Sequence, residues 1–146
     1  MDFIIRKATV SDLPAVLNLY QLALEDKEIL SLTEAESIFA KMNTYPSYTL
    51  YVAEIGQEIV GTFALLVMDN LGHKGSPSAI IEDVAVMPSY QNRGLGKKMM
   101  AFAINCCQKA GCYKLALSSN SKRKTAHAFY ESLGFVRHGY SFLIDI

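Results

Sequence analysis

Excess charge is the first thing this sequence lacks. Its 146 residues carry 14 Lys and Arg against 14 Asp and Glu, a formal net charge of zero. Non-specific nucleic-acid binding needs a basic surface that neutralises phosphates, so no nucleic-acid partner is expected. Long apolar runs are also missing. The longest, such as Phe63 to Met68, are strand-length, and no membrane span is expected. The apolar run near Met1 is too short for a secretory signal. Cysteine is scarce: Cys106, Cys107 and Cys112 form neither an even disulfide framework nor a C-x-x-C pair. They read as reduced thiols in a cytoplasmic protein. No metal-ligand spacing links them with the histidines, so no metal site is expected. There is no repeat, linker or low-complexity segment. What remains is 51% hydrophobic and 19% charged residues, the balance of a single globular domain over residues 1–146.

Periodicity divides that domain into alternating elements. Phe3 to Ala8 reads as a strand. Thr9 and Asp12 have capping-box spacing, and Leu13, Val16, Leu17, Tyr20 and Leu24 follow at helical intervals. A second helix is predicted over Thr33 to Met42. Tyr48 to Ile55 and Ile59 to Met68 read as a hairpin through Gly56, Gln57 and Glu58. Asn70 to Ser78 is a loop and Ala79 to Val86 a strand, followed by a helix over Lys97 to Ala110. Tyr113 to Ser118 is a further strand. A helix from Lys122 to Leu133 then stops at Gly134, and Phe135 to Arg137 with Tyr140 to Ile146 is predicted as a closing hairpin through His138 and Gly139. The order βααβββαβαββ is α+β, with helices flanking a mostly antiparallel, mixed sheet.

The most informative stretch lies between the fourth strand and the third helix. A strand ending in Val84, Ala85 and Val86 breaks at Pro88 and leads through Gln91-Asn-Arg-Gly94-Leu-Gly96 into the helix. Backbone N–H groups at a helix N-terminus have no intrahelical partners, and the helix dipole favours negative charge there. Gly94 and Gly96 permit backbone angles and close approach that a side chain would prevent. The pattern reads as a cradle for a phosphate-bearing cofactor. It lacks the terminal Lys-Ser/Thr of a P-loop and the downstream acid of a dinucleotide fingerprint.

V-x-V-x-P followed by Q-x-x-G-x-G resembles the GNAT superfamily of acetyl-CoA-dependent N-acetyltransferases. The segment Ala126-His-Ala-Phe-Tyr130-Glu-Ser-Leu-Gly-Phe135 is similar to that family's A-x-x-F-Y-E-x-L-G-F signature. The element order is also the family's. The resemblance implies a GNAT fold, acetyl-CoA as co-substrate, and a cofactor site made by Val84, Ala85, Val86, Gln91, Asn92, Arg93, Gly94, Leu95, Gly96 and Lys97. It also implies that the strands flanking this point splay apart, leaving backbone groups of Val84 and Val86 for the pantetheine arm. It places Tyr130 beside the cofactor sulfur as general acid. Glu82, at the head of the cofactor strand, is the candidate base, directly or through water, and simple alternation puts it on the side-chain face of Val84 and Val86. Arg123 stands where many relatives have a cofactor-binding asparagine, so Asn120 is the candidate substitute. His127, three residues before Tyr130, is a candidate for the same channel.

Within the superfamily, Ile81 to Val86 and Gly111 to Leu115 are similar to glucosamine-6-phosphate N-acetyltransferases. Leu117 to Arg123, with Ala126, His127, Phe129 and Tyr130, is similar to aminoalkylphosphonate N-acetyltransferases. Both imply a small polar or anionic amine as acceptor, with Leu24 to Ser31 and Asn70 to Ser78 as acceptor loops. A protein lysine or N-terminal acetyltransferase and a non-catalytic acyl-CoA-binding module are the alternatives. The apolar end Phe142-Leu143-Ile144 suggests a homodimer through the last strand.

Overall fold

The computed structural model describes residues 2–24 and 26–146, so Glu25 of the predicted acceptor loop lies outside the described residues. The chain forms two compact units, residues 1–116 and 117–146.

The first unit is built on a five-stranded sheet: β1 (Phe3–Lys7), β2 (Tyr48–Ile55), β3 (Glu58–Met68), β4 (Ser78–Val86) and β5 (Lys114–Ala116), in that spatial order. The first three pairings are antiparallel and β4 with β5 is parallel. The α+β class and the mixed, mostly antiparallel sheet are as the sequence predicts. β2 and β3 form the expected hairpin, with Gly56 and Gln57 both at positive φ in its turn.

Helices cover both faces. On one, α1 (Leu13–Ala23) and α2 (Leu32–Met42) bury Leu13, Val16, Leu19, Ala35 and Phe39 against Leu50, Val52, Ala64 and Ala85. On the other, α3 (Leu95–Lys109) buries Met99, Met100, Ala103 and Cys107. Its Phe102 meets Tyr51 and Phe63 edge-on, at ring separations of 5.2 and 6.4 Å. α3 presses so closely on β3 that a Cβ added at Gly61 would lie 2.7 Å from Met99 Sδ. An alanine there would force the flexible Met99 side chain to shift and would crowd Ala53 Cβ at 3.3 Å. Among the described residues, no helix is long and apolar enough to cross a membrane.

The entry to α1 is fixed by charge. The Arg6 guanidinium grips Asp12 with two bonds of 2.7 and 2.9 Å and also donates to Glu54 at 3.0 Å. Asp12 reaches back to accept from the Thr9 N–H at 2.7 Å, the return bond of the anticipated capping box. The Arg6 hydrogen bonds outweigh the opposing burial and pull the Asp12 carboxyl down to about 2.

The second unit contains α4 (Lys124–Ser132), closed by a Schellman motif. Gly134, at φ 93°, donates to Glu131 O at 3.0 Å and Phe135 N donates to Tyr130 O at 3.2 Å. The predicted closing hairpin does not form. Residues 135–146 carry no strand, and Tyr140, Phe142, Leu143, Ile144 and Ile146 are exposed. Local pattern identifies a segment with strand propensity but cannot supply the neighbour that makes it a strand.

Because its folded pKa lies below the unfolded value of 3.8, Asp12 contributes stability that is complete above that value and is lost as pH falls through about 2. Asp12→Asn is expected to lower unfolding free energy in urea by about 2 kcal/mol at about pH 7, with the gap closing below about pH 3. A gap independent of pH would show that packing, not the ion pair, carries the effect.

Candidate active site

The turn between β4 and α3 is held open from within. Pro88–Tyr90 makes a single 3-10 turn, and the Gln91 side chain donates to Val86 O at 3.1 Å. Gln91 therefore acts as a brace between strand and turn. Asn92 and Gly94 take positive φ values of 60° and 79°. Between them they turn successive amides outward, the arrangement that makes an anion-binding nest. Among the described residues, no backbone N–H from Asn92 to Lys97 has a hydrogen-bond partner. These donors precede and open a 15-residue helix, whose dipole adds positive potential at the same end.

The basic side chains around this nest are differently placed. The Arg93 guanidinium lies 5.2 Å from the Tyr90 ring centre, and the Tyr90 hydroxyl donates to Glu58 at 2.8 Å. Lys98 Nζ lies 5.2 Å from the Phe3 ring centre. Lys97 is solvent-exposed. Leu95 is buried and anchors the first helical turn in the core.

β4 approaches this nest with one edge open. Its pairing with β5 is short: Ser78 faces Lys114, Ala79 faces Leu115 and Ile80 faces Ala116. From Ile81 to Val86 that side of the strand has no partner from β5, while the other side stays laddered to β3. Within the first unit the β4–β5 pairing thus ends before Val84.

The same stretch of β4 contains a bulge. Ala64 faces Glu82 and Thr62 faces Ala85, so two β4 residues, Asp83 and Val84, lie opposite Phe63. Asp83 absorbs the irregularity at φ 52°. The bulge corrects the sequence expectation: Glu82 shares its face with Ala85, and Val86, paired with Gly61, lies on the opposite one. Glu82 therefore projects toward the α1–α2 face.

Electrostatics around the bulge are acidic. Burial and then Asp83 raise the pKa of Glu82; burial and then Asp26 raise that of Asp83. Burial also raises the Tyr20 phenol, with Asp83 the largest charged contributor, and the Tyr48 phenol, with Asp83 and Glu82 both contributing. Tyr20, Tyr48, Asp26 and Asp83 are neighbours that the sequence pattern alone does not assign to the site. The signal available is an acidic pair inside the apolar run Ile81-Glu-Asp-Val-Ala-Val86. Burial, then Cys112, pushes the Cys107 thiol up to about 12, which makes it a poor nucleophile.

In the second unit, α4 carries Tyr130 and His127. Burial raises the Tyr130 phenol, opposed by Arg123. Its ring lies 5.2 Å from Phe129 and 5.8 Å from Phe135, centre to centre. Asn120 shapes the entry to α4. Its Oδ1 accepts from Lys122 N at 2.9 Å, and its carbonyl pairs with His127 Nε2 at 2.8 Å. Both Asn120 and His127 thus serve local structure with these atoms.

The sequence profile of the Acetyltransferase (GNAT) family matches residues 16–135. The chain belongs to the GNAT acetyltransferase family. Among its GNAT relatives, a glucosamine 6-phosphate N-acetyltransferase of Trypanosoma brucei brucei is 36% identical over 60% of this chain and 58% of its own length. An aminoalkylphosphonate N-acetyltransferase of Salmonella typhimurium is 29% identical over 58% of this chain and 54% of its own. The chain thus spans about half the length of the curated relatives it matches. A solved structure from Agrobacterium tumefaciens, described as a candidate acetyltransferase, superposes with a TM-score of 0.92 at 36% identity. That match covers 98% of this chain and 99% of the other.

A Cβ added at Gly94 would meet nothing within 4 Å, so the glycine is needed for its positive φ alone. Gly94→Ala is expected to cost about 1 kcal/mol and lower the melting temperature by about 2–4 °C. Gly94→Asn, which tolerates this region better, should cost less. Equal melting temperatures for the alanine variant and wild type would contradict the strained turn.

Proposed function

We propose that the chain is an acetyl-CoA-dependent N-acetyltransferase acting on the primary amine of a small polar molecule. The observation that carries this reading is the run of unpartnered N–H groups from Asn92 to Lys97 beside the open edge of β4. The amides of Asn92, Arg93, Gly94, Leu95, Gly96 and Lys97 suit a pyrophosphate, and the backbone of Val84 and the Val86 N–H suit the amides of a pantetheine arm, with Ala85 between them bonded to β3 and Val86 O bonded to Gln91. Gln91 contributes by bracing the turn. Asn120 and His127 are assigned a supporting role, ordering the start of α4.

Bound acetyl-CoA would supply an activated thioester carbonyl. Glu82 accepts a proton from the acceptor ammonium, directly or through water. Its raised pKa brings it closer to the amine's own value of about 10 and makes it a stronger base than an ordinary carboxylate. The free amine forms the new N–C bond as the C–S bond breaks. Tyr130 gives its proton to the departing thiolate and regains one from solvent. A phenol whose pKa is raised by burial stays protonated at neutral pH and is available for that step.

The carboxylates of Asp26, Glu82 and Asp83 attract an ammonium and repel a phosphate. If the acceptor carries phosphate or phosphonate, like the substrates named for the two relatives, that group must lie away from the bulge. The whole chain acts as one catalytic domain working in the cytoplasm, where its free cysteines would stay reduced.

Turnover is tested by following thiol release from acetyl-CoA over a panel of amino sugars, aminophosphonates, diamines and lysine peptides. Tyr130→Phe is expected to reduce kcat by about 10²-fold or more with acetyl-CoA affinity unchanged. Rates equal to wild type across the pH range would end its role as acid. For Glu82, kcat/KM is expected to rise with pH through a value above the ordinary carboxylate range, because the base must be deprotonated. Glu82→Gln should abolish that limb. Persistence of the limb in the variant would assign the proton to water alone.

A further inference from the structure

We propose that Cys107 and Cys112 form a reversible thiol–disulfide pair, an oxidation site for small hydroperoxides where α3 ends. The helix closes in a Schellman motif. Gly111, at φ 76°, donates to Gln108 O at 3.1 Å, and the Cys112 N–H donates to Cys107 O at 3.0 Å. In this motif the side chain in the last helical turn meets the one just past the end, usually as an apolar contact. Here both are cysteines. The 3.0 Å bond from the amide of one to the carbonyl of the other keeps their Cα atoms within about 7 Å, close to the limit of about 6.8 Å that a disulfide spans. The side chains do meet, since Cys112 acts on the Cys107 thiol both as a charge and as a hydrogen-bond partner. Both thiols are free.

Unequal exposure sets the order of events. Cys107 is 5% exposed and Cys112 is half-buried, so an oxidant from solvent meets Cys112 first. The Cys112 thiolate attacks one oxygen of the peroxide, and the O–O bond breaks to leave a sulfenic acid. The departing hydroxide takes up the proton that Cys112 released. The Cys107 sulfur then bonds to the Cys112 sulfur, the S–O bond breaks, and the hydroxyl leaves as water with the Cys107 proton. In sum, two thiols lose two hydrogens and one hydrogen peroxide becomes two waters. Burial, then Cys112, keeps the Cys107 thiolate scarce, and contact between the two sulfurs offsets this by replacing diffusion. The neighbouring Cys106 meets the Tyr51 hydroxyl instead. Oxidation ties the last turn of α3 to the approach to β5, which begins at Lys114. In a reducing compartment such a bond is transient and small thiols reverse it.

The test is treatment of the dilute full chain with hydrogen peroxide, then blocking of free thiols, tryptic digestion and mass spectrometry. Cleavage after Lys109 and Lys114 puts Cys106 and Cys107 on one peptide and Cys112 on another. These two peptides are expected to be linked in wild type and in Cys106→Ser, and to separate in dithiothreitol. Cys107→Ser is expected to lose the link and to keep a sulfenic acid on Cys112 that dimedone traps. A link that survives Cys107→Ser, a link only between two chains, or Cys112 oxidised to sulfinic acid without a link overturns the proposal. Melting of the oxidised wild-type chain gives a readout without mutation. The bond is expected to raise the melting temperature by about 2–5 °C. An unchanged or lower value would mean that the thiols are not poised to pair, and would overturn it.

Discussion

Everything at the candidate site depends on β4 parting from β5 after Ile80. A parallel pair that continued to Val86 would consume the backbone groups along that edge and leave no opening next to α3. Instead the ladder ends at Ile80 and Ala116, and β4 runs on with one side satisfied by β3 and the other open. The cost of open polar groups is bearable where water or a ligand can reach them. The nest at Asn92 to Lys97 begins a few residues later, so the donors of the turn and the open strand edge follow each other along one short stretch of chain.

The bulge at Asp83 gives this stretch its polarity. Without it Glu82 and Val86 would share a face, and the carboxylate would point where α3 packs. With it Glu82 is directed toward the α1–α2 face, near Tyr48 and Asp83. Desolvation raises the pKa values of both β4 carboxylates, with Asp83 adding to the shift of Glu82 and Asp26 to that of Asp83. One irregular residue therefore places Glu82 and Val86 on opposite faces of β4.

Much of this is legible in the sequence because the signals are local. Apolar spacing locates α1 to α4, a Gly-Gln turn locates the β2–β3 hairpin, and Gly94 with Gly96 marks the start of α3. What escapes is long-range. The bulge is a property of β4 read against β3, and no spacing within Ile81 to Val86 reveals that Phe63 faces two residues instead of one. Gln91 lies in the cofactor motif, and no spacing shows that its side-chain nitrogen bonds Val86 O. Nor does spacing show that Asn120 Oδ1 accepts from Lys122 N. The closing hairpin is absent because alternation at Tyr140 to Ile146 encodes a strand without encoding its neighbour.

The central claim is that the nest and open edge hold acetyl-CoA. Calorimetric titration of the purified chain, with ATP and NAD as controls, tests it most directly. The account predicts binding of acetyl-CoA with a Kd of about 1–100 μM and at least about tenfold weaker binding of the other two nucleotides. No heat from acetyl-CoA with the protein shown to be folded, or equal affinity for all three, would contradict it.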